Sequence, residues 1–388
     1  MVKKILKLVA IILVIAIILF FMLAPGIVDR SKNTVILKAP YPGKVSWYDS
    51  LNFIADLHCD ALLWDRNLLE RHNSGQVDLP RLQEANVALQ VFGIVSKTPK
   101  NQNYENNDST TDQITLLSFV QLQPPSSWFS LKSRALHQCA QLQKCVNASD
   151  GQLRLIANQN DLQKLIDDRR QNKKLVGSML GIEGAHCLEN DLNNVEDFYK
   201  AGVRYIGPIH FFDNEWGGSA HGVKKEGLTE KGKMLIKKMN SMHITVDLAH
   251  ASSKSIDDIL AISTQPVLVS HTGVQGICNN SRNLSDKHLW EIGNRNGLIG
   301  IGLWETAVCG TDAAATAKSI RYVADKIGVD KVALGSDFDG AIDAAFDITG
   351  LPLLVNALIK EGFSKTDIEK IMGGNTRDFF LRNLPKEN

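Results

Sequence analysis

The sequence predicts an α/β fold, a (β/α)8 TIM barrel with insertions, preceded by one N-terminal transmembrane helix. From Phe53 onward, short β-branched runs alternate with amphipathic helical patterns, as in a parallel sheet with crossover helices. Eight such runs occur, and a chain of 388 residues suits a barrel with insertions. Ahead of them, Lys3, Lys4 and Lys7 precede Leu8 to Ala24, a run without a polar side chain and so without the polar face of a soluble helix. An open doubly wound sheet is the rival fold. It lacks its main signal, because no Gly-x-Gly-x-x-Gly follows the first strand.

The run Leu8 to Ala24 holds seventeen residues, about the minimum for a bilayer span, and Ile5 and Ile27-Val28 can extend it. A cleaved signal peptide is the competing reading, but Met22-Leu23-Ala24 is a poor small-x-small site. Residues 1–28 are therefore expected to be an uncleaved anchor, lysines inside and the body extracytoplasmic, periplasmic or extracellular. Leu384 to Asn388 carry no apolar tail, so a GPI signal is not expected. Pro40, Pro42 and Gly43 mark residues 29–50 as a linker, leaving 51–388 for the barrel. The whole chain is 44% hydrophobic and 22% charged with a formal net charge of +1, ordinary globular values that give no reason to expect nucleic acid as a partner.

The first strand is expected at Phe53–His58 and the second at Ala88–Val95, with a capped helix start at Asp78-Leu79-Pro80 between them. Residues 96–111, rich in Asn, Thr and Pro, are expected to be a surface insertion. A mostly helical stretch over 112–146 follows, interrupted near Pro124-Pro125. Cys139 and Cys145 lie there, suiting a local disulfide or two unrelated thiols, and Asn147-Ala148-Ser149 matches a glycosylation acceptor. Further strands are expected at Leu175–Ile182, Arg204–Ile209, Ile244–Leu248, Pro266–Ser270, Leu298–Leu303 and Val332–Gly335. Helices fall at Asn194–Tyr199, Thr229–Met242, Ser252–Ile262, Ser285–Asn294 and Ala313–Ile327, and two more near 351–361 and 364–382 close the chain.

In such a barrel the C-terminal strand ends share one mouth, where active sites sit. Here those ends read His58-x-Asp60, Glu183-Gly184-Ala185-His186, His210, Asp247-Leu248-Ala249-His250, Ser270-His271 and Asp337-Phe338-Asp339. Residues i and i+2 of a strand share a face, so His58 and Asp60 aim at one point. Each group alone is as well explained by a solvated loop. Together, Asp60, Glu183 and Asp337 would repel one another, and divalent cations remove that penalty. The set His58, Asp60, Glu183, His250 and His271 suits two Zn²⁺ ions, His58 and Asp60 on one, His250 and His271 on the other, with Glu183 bridging. Water between two such ions is acidic enough to be hydroxide near neutrality, which points to metal-assisted hydrolysis of an amide or ester.

These motifs resemble the membrane dipeptidases (renal dipeptidase, metallopeptidase family M19) over roughly residues 50–382. The resemblance rests on Asp56-x-His58-x-Asp60, Gly181-x-Glu183-Gly184-x-His186, Tyr205-x-x-x-x-His210, Asp247-Leu248-x-His250, Ser270-His271, Arg282-Asn283 and Gly335-x-Asp337-Phe338-Asp339-Gly340, in that order. It implies a two-zinc barrel that hydrolyses dipeptides, including those with a C-terminal D-residue. Carried over, His210 would polarise the scissile carbonyl and Arg282 would bind the substrate carboxylate, a task that suits a bidentate guanidinium. Asp337 would shuttle the proton, while Asp339 is expected to be structural. The resemblance also implies a Cys278–Cys309 disulfide. Three features depart from the animal members: the N-terminal anchor, Phe212 in place of a disulfide cysteine, and the stretch 96–150. Cys59 and Cys187 flank ligand motifs and are expected to be packing residues.

The chain thus reads as a membrane-anchored zinc dipeptidase, with dipeptides and the membrane as partners and room for a homodimer. Another amide hydrolase of the same superfamily, a deacylase or β-lactam hydrolase, is the alternative, and His58-x-Asp60 in place of His-x-His argues against many of these. An inactive scaffold is the third reading, and the full set of ligands argues against it.

Overall fold

The structure, a computed structural model, describes residues 2–387. Its centre is a ring of eight parallel strands: β1 (Ile54–Cys59), β2 (Val87–Val95), β3 (Val176–Glu183), β4 (Val203–Gly207), β5 (Thr245–Val246), β6 (Leu268–Thr272), β7 (Leu298–Ile301) and β8 (Val332–Leu334). Continuous ladders run from β1 to β5 and from β6 to β8. Single parallel bridges, Asp247 with Leu268 and Cys59 with Phe338, close the ring at β5–β6 and β8–β1. The expected barrel is present, and those two junctions are its thinnest. A short strand missed in the sequence, Leu153–Leu155, pairs with the first residues of β3, and β4 pairs with the last.

Alternation sets what faces the lumen. Leu89 and Val91 of β2, Met179 of β3, Tyr205 of β4 and Ala333 of β8 pack together in the interior, while Phe92, Ile94, Leu180, Ile182 and Leu334 pack in the cluster that reaches the surrounding helices. Phe379 and Phe380 of the helix Asn375–Asn383 join the interior cluster and plug the bottom. The mouth at the other end is left to polar groups.

Several elements differ from the sequence reading. β5 keeps only Thr245–Val246 as strand, because from Asp247 the chain turns to join β6. The N-terminal helix runs over Val2–Lys32, past the expected end of the anchor, and its most apolar window is wholly exposed. The segment expected to be a loose linker starts as a docked one. Asp29, 3% exposed, pairs with Arg66 (3.2 Å), and Arg66 pairs with Asp339 (2.8 Å). Thr34–Val35 then forms a two-residue parallel ladder with Asp343–Ala344. The insertion 96–111 likewise lies against the barrel, where Asn107, 5% exposed, donates its amide N–H to His221 O (2.8 Å). A buried charge network and a buried backbone donor each need fixed partners, so neither stretch is free. The 112–146 stretch breaks as expected, into Ile114–Val120, Pro125–Phe129 and Leu131–Ala148. Cys278 and Cys309 are bridged; Cys139 and Cys145 are free, and Cys59 and Cys187 are free and buried.

Candidate metal centre

Every expected ligand, and the expected catalytic residues His210 and Asp337, stands at or just beyond a strand end. His58 is in β1 with Asp60 after it, Glu183 ends β3, His210 and His250 follow β4 and β5, His271 is in β6, and Asp337 follows β8. His58 Nε2 lies 3.2 Å from Asp60 Oδ1, 3.6 Å from Glu183 Oε2 and 3.9 Å from Asp337 Oδ1. The other oxygen of the same glutamate, Oε1, lies 2.8 Å from His250 Nε2, 3.2 Å from His271 Nε2 and 3.5 Å from His210 Nε2. Glu183 therefore turns one oxygen to each side. The two sides are not fully separate: His58, Glu183 and His271 converge closely enough to hold one ion, as do Glu183, His210 and His250, and as do His58, Asp60 and Asp337.

Hydroxyl groups fix which imidazole nitrogen faces the site. Tyr205 Oη donates to Leu57 O (3.3 Å) and so accepts from His58 Nδ1–H (3.0 Å). Ser270 Oγ donates to Asp247 Oδ2 (2.6 Å) and so accepts from His271 Nδ1–H (2.9 Å). Each ring thus turns its Nε2 to the carboxylates, and at His58, where burial alone would lower the imidazole, Tyr205, Glu183 and Asp60 hold it well above its usual value. An imidazole nitrogen facing a carboxylate oxygen is satisfied by a cation between them, a metal ion or a proton. Two glycines make the room. A Cβ on Gly93, which faces the lumen from β2, would stand 2.3 Å from Asp60 Oδ1 and 2.8 Å from His58 Cε1. One on Gly181 would meet the Tyr205 ring at 2.0 Å.

The electrostatics are those of a site short of positive charge. Burial, with Glu183 next, pushes the Asp60 carboxyl up to about 6. Burial, with Asp60 and Glu183, holds Asp337 well above the carboxylate range, His58 opposing. Burial would raise Glu183 too, but His210, His58 and the close imidazoles of His250 and His271 hold it well below. Burial, aided by Arg282 at His250 and by His58 at His271, holds both rings well below the usual imidazole value.

A cleft of about 730 Å³ opens above the cluster, and Asp60, Glu183, His210, His250 and Asp337 are in its wall. Arg282 is not. It is 5% exposed, donates from Nη2 to His271 O (2.7 Å) and from Nη1 to Thr272 Oγ1 (3.3 Å), and its Nε–H has no acceptor among the described residues. Trp304, whose ring lies 5.9 Å from that guanidinium, lines the cleft and donates its indole N–H to Tyr104 Oη (2.6 Å). Tyr104 comes from the insertion; neither it nor Trp304 was singled out from the sequence. Nor was His221, which bonds Tyr104 O through Nδ1 (2.9 Å) and stacks on Phe211. Gly93 was missed as well, although a glycine inside the run Val87–Val95 is itself a sign of close approach.

Comparison with known proteins agrees with this geometry. The family described as membrane dipeptidase (Peptidase family M19) matches residues 51–382. An uncharacterised protein in the pqqA 5′ region of Klebsiella pneumoniae is 30% identical over 253 residues, covering 61% of this chain and 92% of that one. Dipeptidase tcpJ of Claviceps purpurea is 26% identical over 342 residues, 86% of this chain and 74% of its own. The fold is shared with the dipeptidase AC (TM-score 0.71) and with a metallo peptidase from Rhodobacter sphaeroides liganded with a phosphinate mimic of L-Ala-D-Ala (TM-score 0.70). Each is 24% identical and is matched over 86% of this chain and 99% of its own. The chain belongs to the membrane dipeptidase family: it is a metallo-dipeptidase with a His, Glu and Asp metal-binding cluster.

Proposed function

We propose that the protein is a membrane-anchored dipeptidase that holds two Zn²⁺ ions and cleaves dipeptides, those with a C-terminal D-residue included. The observation that supports the two-ion reading is Glu183, whose Oε2 faces His58 and whose Oε1 faces His250 and His271. The donors fit the metal. His58 Nε2 and Asp60 Oδ1 are buried without a hydrogen-bond partner among the described residues, and nitrogen with carboxylate oxygen is the donor set zinc takes. His58 and Asp60 would hold one ion and His250 and His271 the other, with Glu183 shared. When bound, the ions supply Lewis acidity and a water of lowered pKa.

The remaining steps belong to the chain. His210, in the cleft wall beside Glu183, sits against the scissile carbonyl and stabilises the charge that develops on its oxygen. Arg282 takes the substrate's free carboxylate through its uncommitted Nε–H, its other arms held by His271 O and Thr272. Asp337 takes a proton from the attacking water and delivers it to the leaving amine. Acceptance of a C-terminal D-residue follows the family resemblance, and the Rhodobacter sphaeroides protein of the same fold carries a mimic of such a dipeptide. The apolar helix Val2–Lys32 is long enough to span a bilayer, and Lys3, Lys4 and Lys7 at its start support a cytoplasmic N-terminus with the barrel outside.

Full-length protein in detergent, given Gly-D-Ala with and without a chelator, tests the reading. Chelator-sensitive release of D-Ala at two zinc ions per chain is expected; absence of turnover on any dipeptide refutes it. Asp337→Asn should keep the zinc and lose turnover. Loss of zinc instead would make Asp337 a ligand.

A further inference from the structure

The stretch between β2 and β3 has no part in the chemistry above, yet it places an unusual surface beside the N-terminal helix. Helix Ile114–Val120 turns Ile114 and Leu117 to the cleft and leaves Leu116 (62%) and Phe119 (41%) exposed. Leu122 (62%) and Phe129 (88%) continue the patch through the next turn and the helix Pro125–Phe129. Four large apolar side chains so exposed on one short hairpin need a cover.

The N-terminal helix shows what the cover is. Phe119 stacks edge-on against Phe21 with ring centroids 5.5 Å apart, Trp128 stacks on Phe119 at 5.1 Å, and Phe129 follows at 6.4 Å. Phe21 lies three residues before the end of the apolar run at Ala24. At 1.5 Å per helical residue, that puts the Phe119 contact roughly 5 Å inside the outer edge of the hydrocarbon. Aromatic rings concentrate at that depth, where Trp in particular favours the headgroup boundary.

We propose that the face formed by Ile114–Val120 and Pro125–Phe129 docks into the outer surface of the lipid bilayer. The barrel is then seated on the membrane, with its cleft, walled by Val28 and Lys32 of the anchor and Ile114 and Leu117 of the hairpin, opening at the lipid surface. This rests on the reading that Val2–Lys32 spans the membrane.

The test uses full-length protein in phosphatidylcholine–phosphatidylglycerol vesicles whose acyl chains are brominated near the headgroup. The chain has 6 tryptophans, so Trp128 is isolated as the difference between the native protein and Trp128→Phe. Quenching that Trp128→Phe removes is expected. A Leu116→Ser/Leu122→Ser/Phe129→Ser variant should lose it too, with dipeptide turnover in detergent unchanged, since none of the three lines the cleft. Vesicle flotation separates the two readings. Protein that floats with unquenched Trp128 refutes the docking and leaves the anchor standing; protein that does not float refutes the anchor, and the docking with it. A dimer in detergent that the triple variant turns to monomer, with Trp128 unquenched, assigns the patch to a second copy and also overturns the proposal.

Discussion

Gly93→Ala is the sharpest test of how the site is built. The added Cβ would stand 2.3 Å from Asp60 Oδ1, where carbon and oxygen normally keep roughly 3.3 Å apart, so the carboxylate must move by about 1 Å. In the metal-free protein that is easy, because Oδ1 is the end of a rotatable side chain and has no hydrogen bond to lose. The His58 ring, 2.8 Å away at Cε1, gives less, since Tyr205 holds its Nδ1. The fold should therefore lose only about 1–3 kcal/mol, the usual cost of overpacking. A metal site tolerates ligand errors of only about 0.2 Å, so zinc affinity should fall by at least about 10–100-fold. Zinc per chain after dialysis against graded zinc buffers reads the affinity, and thermal unfolding with chelator reads the fold. Gly177→Ala on β3 is the control: its Cβ would meet Leu165 Cδ2 at 2.5 Å, far from the ligands, and should cost stability without costing zinc. Full zinc occupancy and native turnover in Gly93→Ala would refute the reasoning.

Other changes act on the parts around the ligands. Tyr205→Phe removes the acceptor that fixes the His58 tautomer, and about 10–100-fold weaker zinc binding is expected by competition with a zinc chelator, with native circular dichroism. Arg66→Met strands two carboxylates, Asp29 at 3% and Asp339 at 0% exposure, and should cost about 3–5 kcal/mol, seen as a lower denaturant midpoint. An unchanged midpoint would mean that Asp29 and Asp339 do not need their counter-charge. Cys278→Ser/Cys309→Ser opens a loop with a sequence separation of 31 residues, for which chain entropy gives about 3–4 kcal/mol. Equal stability of native and reduced protein would show that the bridge constrains nothing. Arg282→Ala should raise KM on free dipeptides and leave C-terminally amidated ones nearly unchanged; equal losses on both would remove its role with the carboxylate.

What the sequence made legible is what repeats. Eight strand signals gave the barrel, and polar motifs at six of their ends placed His58, Asp60, Glu183, His210, His250, His271 and Asp337 at one mouth, where the structure has them. What it hid depends on contacts between distant segments. Residues 29–37 read as linker because a polar run there leads into Pro40, Pro42 and Gly43, yet the partner that docks them, Asp343–Ala344, is some three hundred residues away. Tyr104 sits in an Asn-rich stretch whose composition says loop, and only the hydrogen bond from Trp304 shows that the loop walls the cleft. Gly93 carried a local signal, but its meaning is a distance to Asp60, which no pattern along one strand contains.

The seams of the barrel explain why the polar motifs have the form they do. The ladders thin to single bridges at β5–β6 and at β8–β1. At each, a buried aspartate takes over. Asp247 accepts from Ser270 N (2.8 Å) and Ser270 Oγ (2.6 Å), and Asp56 accepts from Ser336 N (2.7 Å) and Ser336 Oγ (2.6 Å). Burial pushes both carboxyls up, and the serine bonds pull against it. Each aspartate precedes a site histidine, His250 or His58, and each serine immediately precedes a site residue, His271 or Asp337. Asp56 and Asp247 are thus staples across the seams, which is why they recur in the motifs without facing the cleft. The two groups of donors are the two seams, and Glu183 ends β3, the middle strand of the continuous β1–β5 arc between them. His58 and Asp60 share Glu183 with His250 and His271 because the barrel closes twice, and β3 stands equally far from both closures.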